Sequence, residues 1–122
     1  MSTWADVDAL AERLPGATLG QAHEGSPAWY AGRHPFARLR WDDDDHELLQ
    51  VWTAEMDTAS ALSERRDAFP VVHAFSFRVT MWCRLDRLDL REVAELLLDS
   101  YGARGGARRR QAVDPASFLP PA

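Results

Sequence analysis

Apolar residues recur at two different periods along the chain, and the period changes mark its elements. Trp4, Val7, Leu10, Ala11 and Leu14 repeat at spacings of three and four, which predicts a helix over 3–14 with one buried face. Ser2 or Thr3 caps its start, Asp6 and Asp8 suit the positive end of its dipole, and Pro15-Gly16 stops it. Residues 17–26 are small and polar, a loop or ragged first strand. Residues 27–31 alternate weakly, and Gly32-Arg33-His34 predicts a turn. Over 35–41, Ala37, Leu39 and Trp41 point one way, while Phe36, Arg38 and Arg40 point the other. Asp42 to Asp45 form a turn, because four adjacent like charges need water, and 47–52 is the next strand.

A short helix is predicted over 57–66 and a strand over 69–74, with Pro70 pushing its start to an edge or bulge. Residues 77–85 alternate most strictly: Phe77, Val79, Met81, Cys83 and Leu85 against Arg78, Thr80, Trp82 and Arg84. Residues 89–101 make the best helix, capped by Asp89 with Glu92 three residues on, buried through Leu90, Val93, Ala94, Leu97 and Tyr101, and ended at Gly102. Beyond it no period remains, so residues 1–102 read as one domain and 103–122 as a flexible Arg/Gly/Pro-rich tail. Within that tail Phe118 and Leu119 supply apolar side chains able to dock on the body. The order implies a two-layer α+β domain, a mostly antiparallel sheet with helices on one face and the other at least partly open.

Composition narrows the chemistry. The chain has 122 residues and 46% apolar residues, enough for one core. Its fourteen basic residues, all arginine, stand against nineteen acidic ones, so a uniformly basic nucleic-acid binder is excluded. The charge is uneven. Residues 104–122 hold four arginines and one aspartate, and residues 1–103 hold ten arginines and eighteen carboxylates. One cysteine, Cys83, excludes an internal disulfide and any multi-cysteine metal site. No apolar run is long enough to span a membrane. The opening residues lack the cationic and apolar stretches of a signal peptide, so a cytoplasmic protein is expected.

Catalytic arrangements are not found. His23, His34, His46 and His73 are scattered, and no pair has helical i, i+4 spacing. A calcium loop starting at Asp42 would put His46 at its fifth position and Glu47 where glycine is required. No nucleophile elbow, phosphate loop or dinucleotide fingerprint occurs. No enzyme, cofactor or metal is expected. Two features point to binding. Arg38 and Arg40 on one strand and Arg78, Trp82 and Arg84 on another are expected to share the outward sheet face, with Tyr30 nearby. Guanidinium groups pair with phosphates, and both they and aromatic rings stack on bases. Arg104, Arg108, Arg109 and Arg110 form a basic arm.

Three segments carry a family resemblance in their order and spacing. They are Leu14-Pro15-Gly16-Ala17-Thr18, Pro35-Phe36-Ala37-Arg38-Leu39, and Arg84-Leu85-Asp86-Arg87-Leu88-Asp89-Leu90 with the helix that follows. Together they resemble the MmcQ/YjbR family over residues 4–102. The resemblance implies a small bacterial α+β domain of double-wing arrangement, similar in fold to secretion chaperones, often labelled DNA-binding and without catalytic residues to carry over. Arg38 and Arg40 match the family segment. The expected function is binding of DNA or single-stranded nucleic acid by a non-enzymatic domain. The alternative is an interaction scaffold whose open sheet face takes a protein partner or a second copy.

Overall fold

The computed structural model describes every residue except His23, Ser76, Phe77 and Ala122, and all side chains of the remainder except those of Phe75 and Arg78. Helix α1 (Trp4–Ala11) is followed by strands β1 (Ala17–Gln21), β2 (Pro27–Ala31), β3 (His34–Trp41) and β4 (Glu47–Thr53). Then come α2 (Met56–Ser63), β5 (Val71–Phe75), β6 (Arg78–Arg84), a short 3-10 turn, α3 (Leu90–Gly105), α4 (Ala107–Gln111) and α5 (Pro115–Phe118). The strands form one sheet in the order β1-β2-β3-β4-β6-β5, and every pair is antiparallel. This is the expected α+β class.

The alternation over β6 sets the layers. Val79, Met81 and Cys83 are buried, as is Leu85 just beyond, and they pair with Thr53, Val51 and Leu49 of β4 on the same face. The helices cover that face. Trp4, Val7, Leu10 and Ala11 of α1 and Val93, Ala94, Leu97 and Tyr101 of α3 enter one core with them. The α3 start is capped as the sequence predicts, with Asp89 Oδ1 accepting from Glu92 N at 2.8 Å, whereas at α1 the Asp6 carboxylate accepts from Thr3 N at 2.9 Å. Leu90, expected in the buried stripe, sits at the first turn of α3 and is 42% exposed.

One strand breaks its expected pattern. In β3, Ala37 pairs with Trp29 but Pro35 pairs with Tyr30, so Phe36 is an extra residue opposite β2. A bulge shifts the side-chain alternation by one. Phe36 therefore turns from the face of Arg38 and Arg40, where it was expected, into the core beside Ala37, and both are fully buried. Its ring meets Tyr101 edge-on at 5.4 Å.

The bulge also opens the β3–β4 ladder, and α3 fills the opening. Arg38 pairs with Gln50, so Phe36 and Trp52 are the next rung of that register. The hydroxyl of Ser100 stands between them, donating to Phe36 O at 2.5 Å and accepting from Trp52 N at 2.9 Å. One helical turn later Arg104 donates to Pro35 O at 3.0 Å and lies 4.6 Å from the Trp52 ring centre.

Residues 103–122 differ from the expected tail. Gly102 does not end α3. Its missing side chain instead admits the Arg110 stem, since a Cβ there would meet that stem at 3.1 Å. Gly106, with φ +94°, ends the helix. Phe118 of α5 is 4% exposed, and Arg13 holds it by donating to the carbonyls of Ser117 and Phe118 and lying 5.3 Å over its ring. Helices of five and four residues are too short to show a period, so only the apolar Phe118 and Leu119 signalled docking. Phe118→Ala is expected to speed amide exchange across residues 115–120 while β4 and β6 keep their protection. Unchanged exchange across α5 would contradict its docking through Phe118.

Candidate nucleic-acid interface

The face turned away from the helices carries the residues that alternate with the core. By register these are Arg38 and Arg40 of β3, Leu48, Gln50 and Trp52 of β4, Thr80, Trp82 and Arg84 of β6, and Val71 and His73 of β5. The sheet thus brings together four of the expected binding residues. Arg40 lies with its guanidinium 5.1 Å from the Trp82 ring centre, and the His73 ring meets the same indole edge-on at 6.2 Å. The stacked pair sits mid-sheet, because β4 and β6 are interior strands and Gln50 pairs directly with Trp82.

The other arginines are engaged to different degrees. Arg84 makes two parallel hydrogen bonds to Asp86, at 2.9 and 2.7 Å. Arg38 donates to Ser26 Oγ at 3.2 Å and lies 3.7 Å from the exposed Glu24 carboxylate. Arg40 has no carboxylate within 4.0 Å among the described residues. Arg78 pairs with Phe75 through its backbone, and its side chain lies outside the described structure.

Of the basic arm, only Arg104 reaches a residue of this face among the described contacts, lying 4.6 Å from the Trp52 ring centre. Arg104 is built into the β3–β4 opening beside Trp52 and Pro35. Arg108, Arg109 and Arg110 lie on α4, which packs on α3 in the helical layer. Arg108 is exposed there, Arg109 donates to Gly105 O at 2.9 Å, and the Arg110 stem covers Gly102. Of the nine expected residues, Arg38, Arg40, Trp82 and Arg84 lie on the sheet face, Arg108, Arg109 and Arg110 on α4, and Arg104 in the β3–β4 opening, while the Arg78 side chain lies outside the described structure.

Towards the β3–β4 turn the face dips into an open depression of about 390 Å³. Leu48, Val71, Pro70 and Trp82 supply apolar wall, and Arg40, Arg66 and Arg84 bring positive charge. Asp42, Asp43 and Asp67 bring negative charge to the same rim. Arg66 and Gln50 were not singled out from the sequence. Gln50 was legible, since it alternates with Leu49 and Val51, whereas Arg66 arrives from the loop after α2 and carries no local signal.

Residues 12–103 match the family model YjbR, which covers most of the chain. The chain belongs to the YjbR family. A crystal structure of Deinococcus radiodurans protein DR2400, with a DUF419 family-model domain, aligns at a TM-score of 0.66. It shares 15% identity, over 98% of this chain and 91% of that one, so the likeness is one of fold. No curated protein matches the chain. The YjbR match spans both the sheet and α3, so the bulge, the stacked Arg40–Trp82 pair and the Arg84–Asp86 pair all fall within the family domain.

Two further chemically notable groups are tied into the fold. Burial pushes the Cys83 thiol far up, so the thiolate a nucleophile requires is suppressed. Among the described residues, Asp42, Asp44 and His46 bring ligand-type atoms within 4.8 Å of one another. Asp42 Oδ1 already accepts from the amides of Asp44 and His46, each at 2.9 Å, which closes the turn. No helix among the described residues is long and apolar enough to cross a membrane.

Charge pairing makes the fold acid-sensitive in a directed way. Hydrogen bonds from Arg84 hold the Asp86 carboxyl below its usual range, outweighing partial desolvation. A depressed carboxyl contributes stability that is present above its unfolded pKa of about 4 and is lost as pH falls through the folded value. Urea midpoints measured at pH 6 and about pH 3 are expected to differ less in Asp86→Asn than in the parent. An identical difference would assign the acid sensitivity elsewhere.

Proposed function

We propose that this chain is a non-enzymatic binding domain whose open sheet face takes single-stranded nucleic acid. The observation that carries the reading is the Arg40 guanidinium stacked on the Trp82 indole, without a carboxylate partner among the described residues, on the uncovered side of the sheet. A planar cation on an aromatic ring offers a base a stacking surface and a phosphate a bidentate donor. A single strand fits this face better than a duplex. Six strands at the usual spacing of about 4.8 Å make a surface roughly 24 Å across, too broad for a major groove of about 12 Å. The α4 arginines belong to the helical layer and add nothing to the face.

Fluorescence anisotropy at low salt tests the reading. The chain is expected to bind a single-stranded 12-mer more tightly than its duplex, with log affinity falling about 0.7 per phosphate contact against log salt. Trp82→Ala is expected to cost about 1–3 kcal/mol of that binding. Arg108→Ala on α4 is expected to leave it unchanged. No binding of the single strand at high micromolar protein would overturn the proposal.

A protein-interaction face is the second reading. Asp42, Asp43 and Asp67 on the rim of the depression favour it, because they repel phosphates and attract a mixed-charge protein surface. Such a face would leave the single strand unbound in the same titration.

A further inference from the structure

The middle of the open face holds two polar atoms without a partner among the described residues. Gln50 Oε1 and Trp82 Nε1 are both shielded from solvent, and neither makes a hydrogen bond to a described residue. They belong to residues directly opposite each other on β4 and β6. The orientation of the Gln50 amide follows from its neighbour. Thr80 donates its single hydroxyl proton to Val51 O at 3.2 Å, so it can only accept from Gln50, and the amide presents its nitrogen at 3.1 Å. The amide oxygen is the end left over. An acceptor on one strand and an indole donor on the residue opposite it thus both lack, among the described residues, the partner that buried polar groups normally find.

We propose, resting on the single-strand reading above, that Gln50 Oε1 and Trp82 Nε1 form the edge that reads a nucleobase. Each base carries an N–H donor next to an acceptor on its pairing edge, the complement of this acceptor and donor. Arg40 is the gate. Its guanidinium lies 5.1 Å from the indole ring centre in the free protein, and in this arrangement it swings aside and offers its plane to the incoming ring. Affinity then depends on the base itself as well as on the phosphates. The unmet donor and acceptor have a purpose in this arrangement, since a base that satisfies both gains what the free protein leaves unmade.

The test uses the full chain, a single-stranded 12-mer and an abasic strand of the same length. The parent is expected to prefer the base-bearing strand by about ten-fold, a factor within the range of one two-point base contact. Gln50→Leu is expected to remove most of that preference, lowering affinity for the base-bearing strand toward that for the abasic one. Trp82→Phe, which keeps the ring and loses the donor, is expected to act in the same direction and supplies the answer if Gln50→Leu fails to fold. The Trp82 indole N–H resonance, assigned by its loss in Trp82→Phe, is expected to shift with the base-bearing strand and not with the abasic one. Equal binding of both strands by the parent would overturn the edge reading and leave the single-strand face standing. A preference that survives in both variants would overturn it as well. Binding of neither strand would remove the single-strand face itself, and a shift of the Trp82 resonance with a free primary amide alone would then assign the edge to a peptide side chain.

Discussion

Phe36→Ala is expected to destabilise the fold by about 3–5 kcal/mol, measured by urea unfolding with linear extrapolation. The residue is fully buried and meets Tyr101 edge-on at 5.4 Å, so truncation removes a large apolar surface and an aromatic pair from the centre of the core. The magnitude matters because domains of this size retain only about 5–15 kcal/mol of net stability. Had the strand kept strict alternation, Phe36 would lie beside Arg38 and Arg40 on the open face and its truncation would cost well under 1 kcal/mol. A loss below about 1 kcal/mol would therefore contradict the bulge. Arg38→Ala, on the other face, is expected to change stability little, since its ion pair with the exposed Glu24 is loose at 3.7 Å.

Ser100→Ala is expected to cost about 2–4 kcal/mol for the loss of one oxygen. In a helix interior alanine is intrinsically the better residue, so propensity alone predicts a small gain. The hydroxyl, however, replaces a rung of the β3–β4 ladder, donating to Phe36 O and accepting from Trp52 N. Its removal leaves a buried carbonyl and a backbone N–H without partners, and each such group costs about 1–3 kcal/mol. An unchanged urea midpoint would mean that the strands close the gap themselves. In that case Arg104, which donates to Pro35 O one turn along α3, would lose its place, and the Trp52 fluorescence should change with it.

These two residues mark where the sequence stops being legible. Strict alternation over β6 and the three-and-four spacing in α1 and α3 reflect burial on one face, which local pattern reports directly. A bulge inserts one residue and reverses everything on one side of it, so pattern alone put Phe36 on the wrong face. A signal was present in Pro35: β3 lies inside the sheet, and proline in an interior strand calls for a bulge or an interrupted ladder. Ser100 carried no signal, because its partners Trp52 and Phe36 lie 48 and 64 residues away in the chain. The tail failed for another reason. Gly102 looked like a helix stop, but glycine serves close approach as readily as a left-handed turn, and here it admits Arg110 while Gly106 makes the turn.

The candidate binding face was legible in part. Alternation placed Arg38, Arg40, Trp82 and Arg84 on one side, and the structure keeps them there. It could not say which of them are engaged by carboxylates, because Asp86 and Glu24 reach Arg84 and Arg38 through turns. Nor could it place α4 in the helical layer, since the arm was expected to be a flexible tail.

The open sheet face, centred on Arg40 and Trp82, is the proposed binding surface, and a ¹H–¹⁵N correlation titration of the full chain with a single-stranded 12-mer tests it. Shifts are expected at Arg40, Gln50, Thr80 and Trp82, including the Trp82 indole N–H, with Arg108, Arg109 and Arg110 on α4 unmoved. Shifts confined to α4, or none on the sheet face at saturating strand, would contradict it.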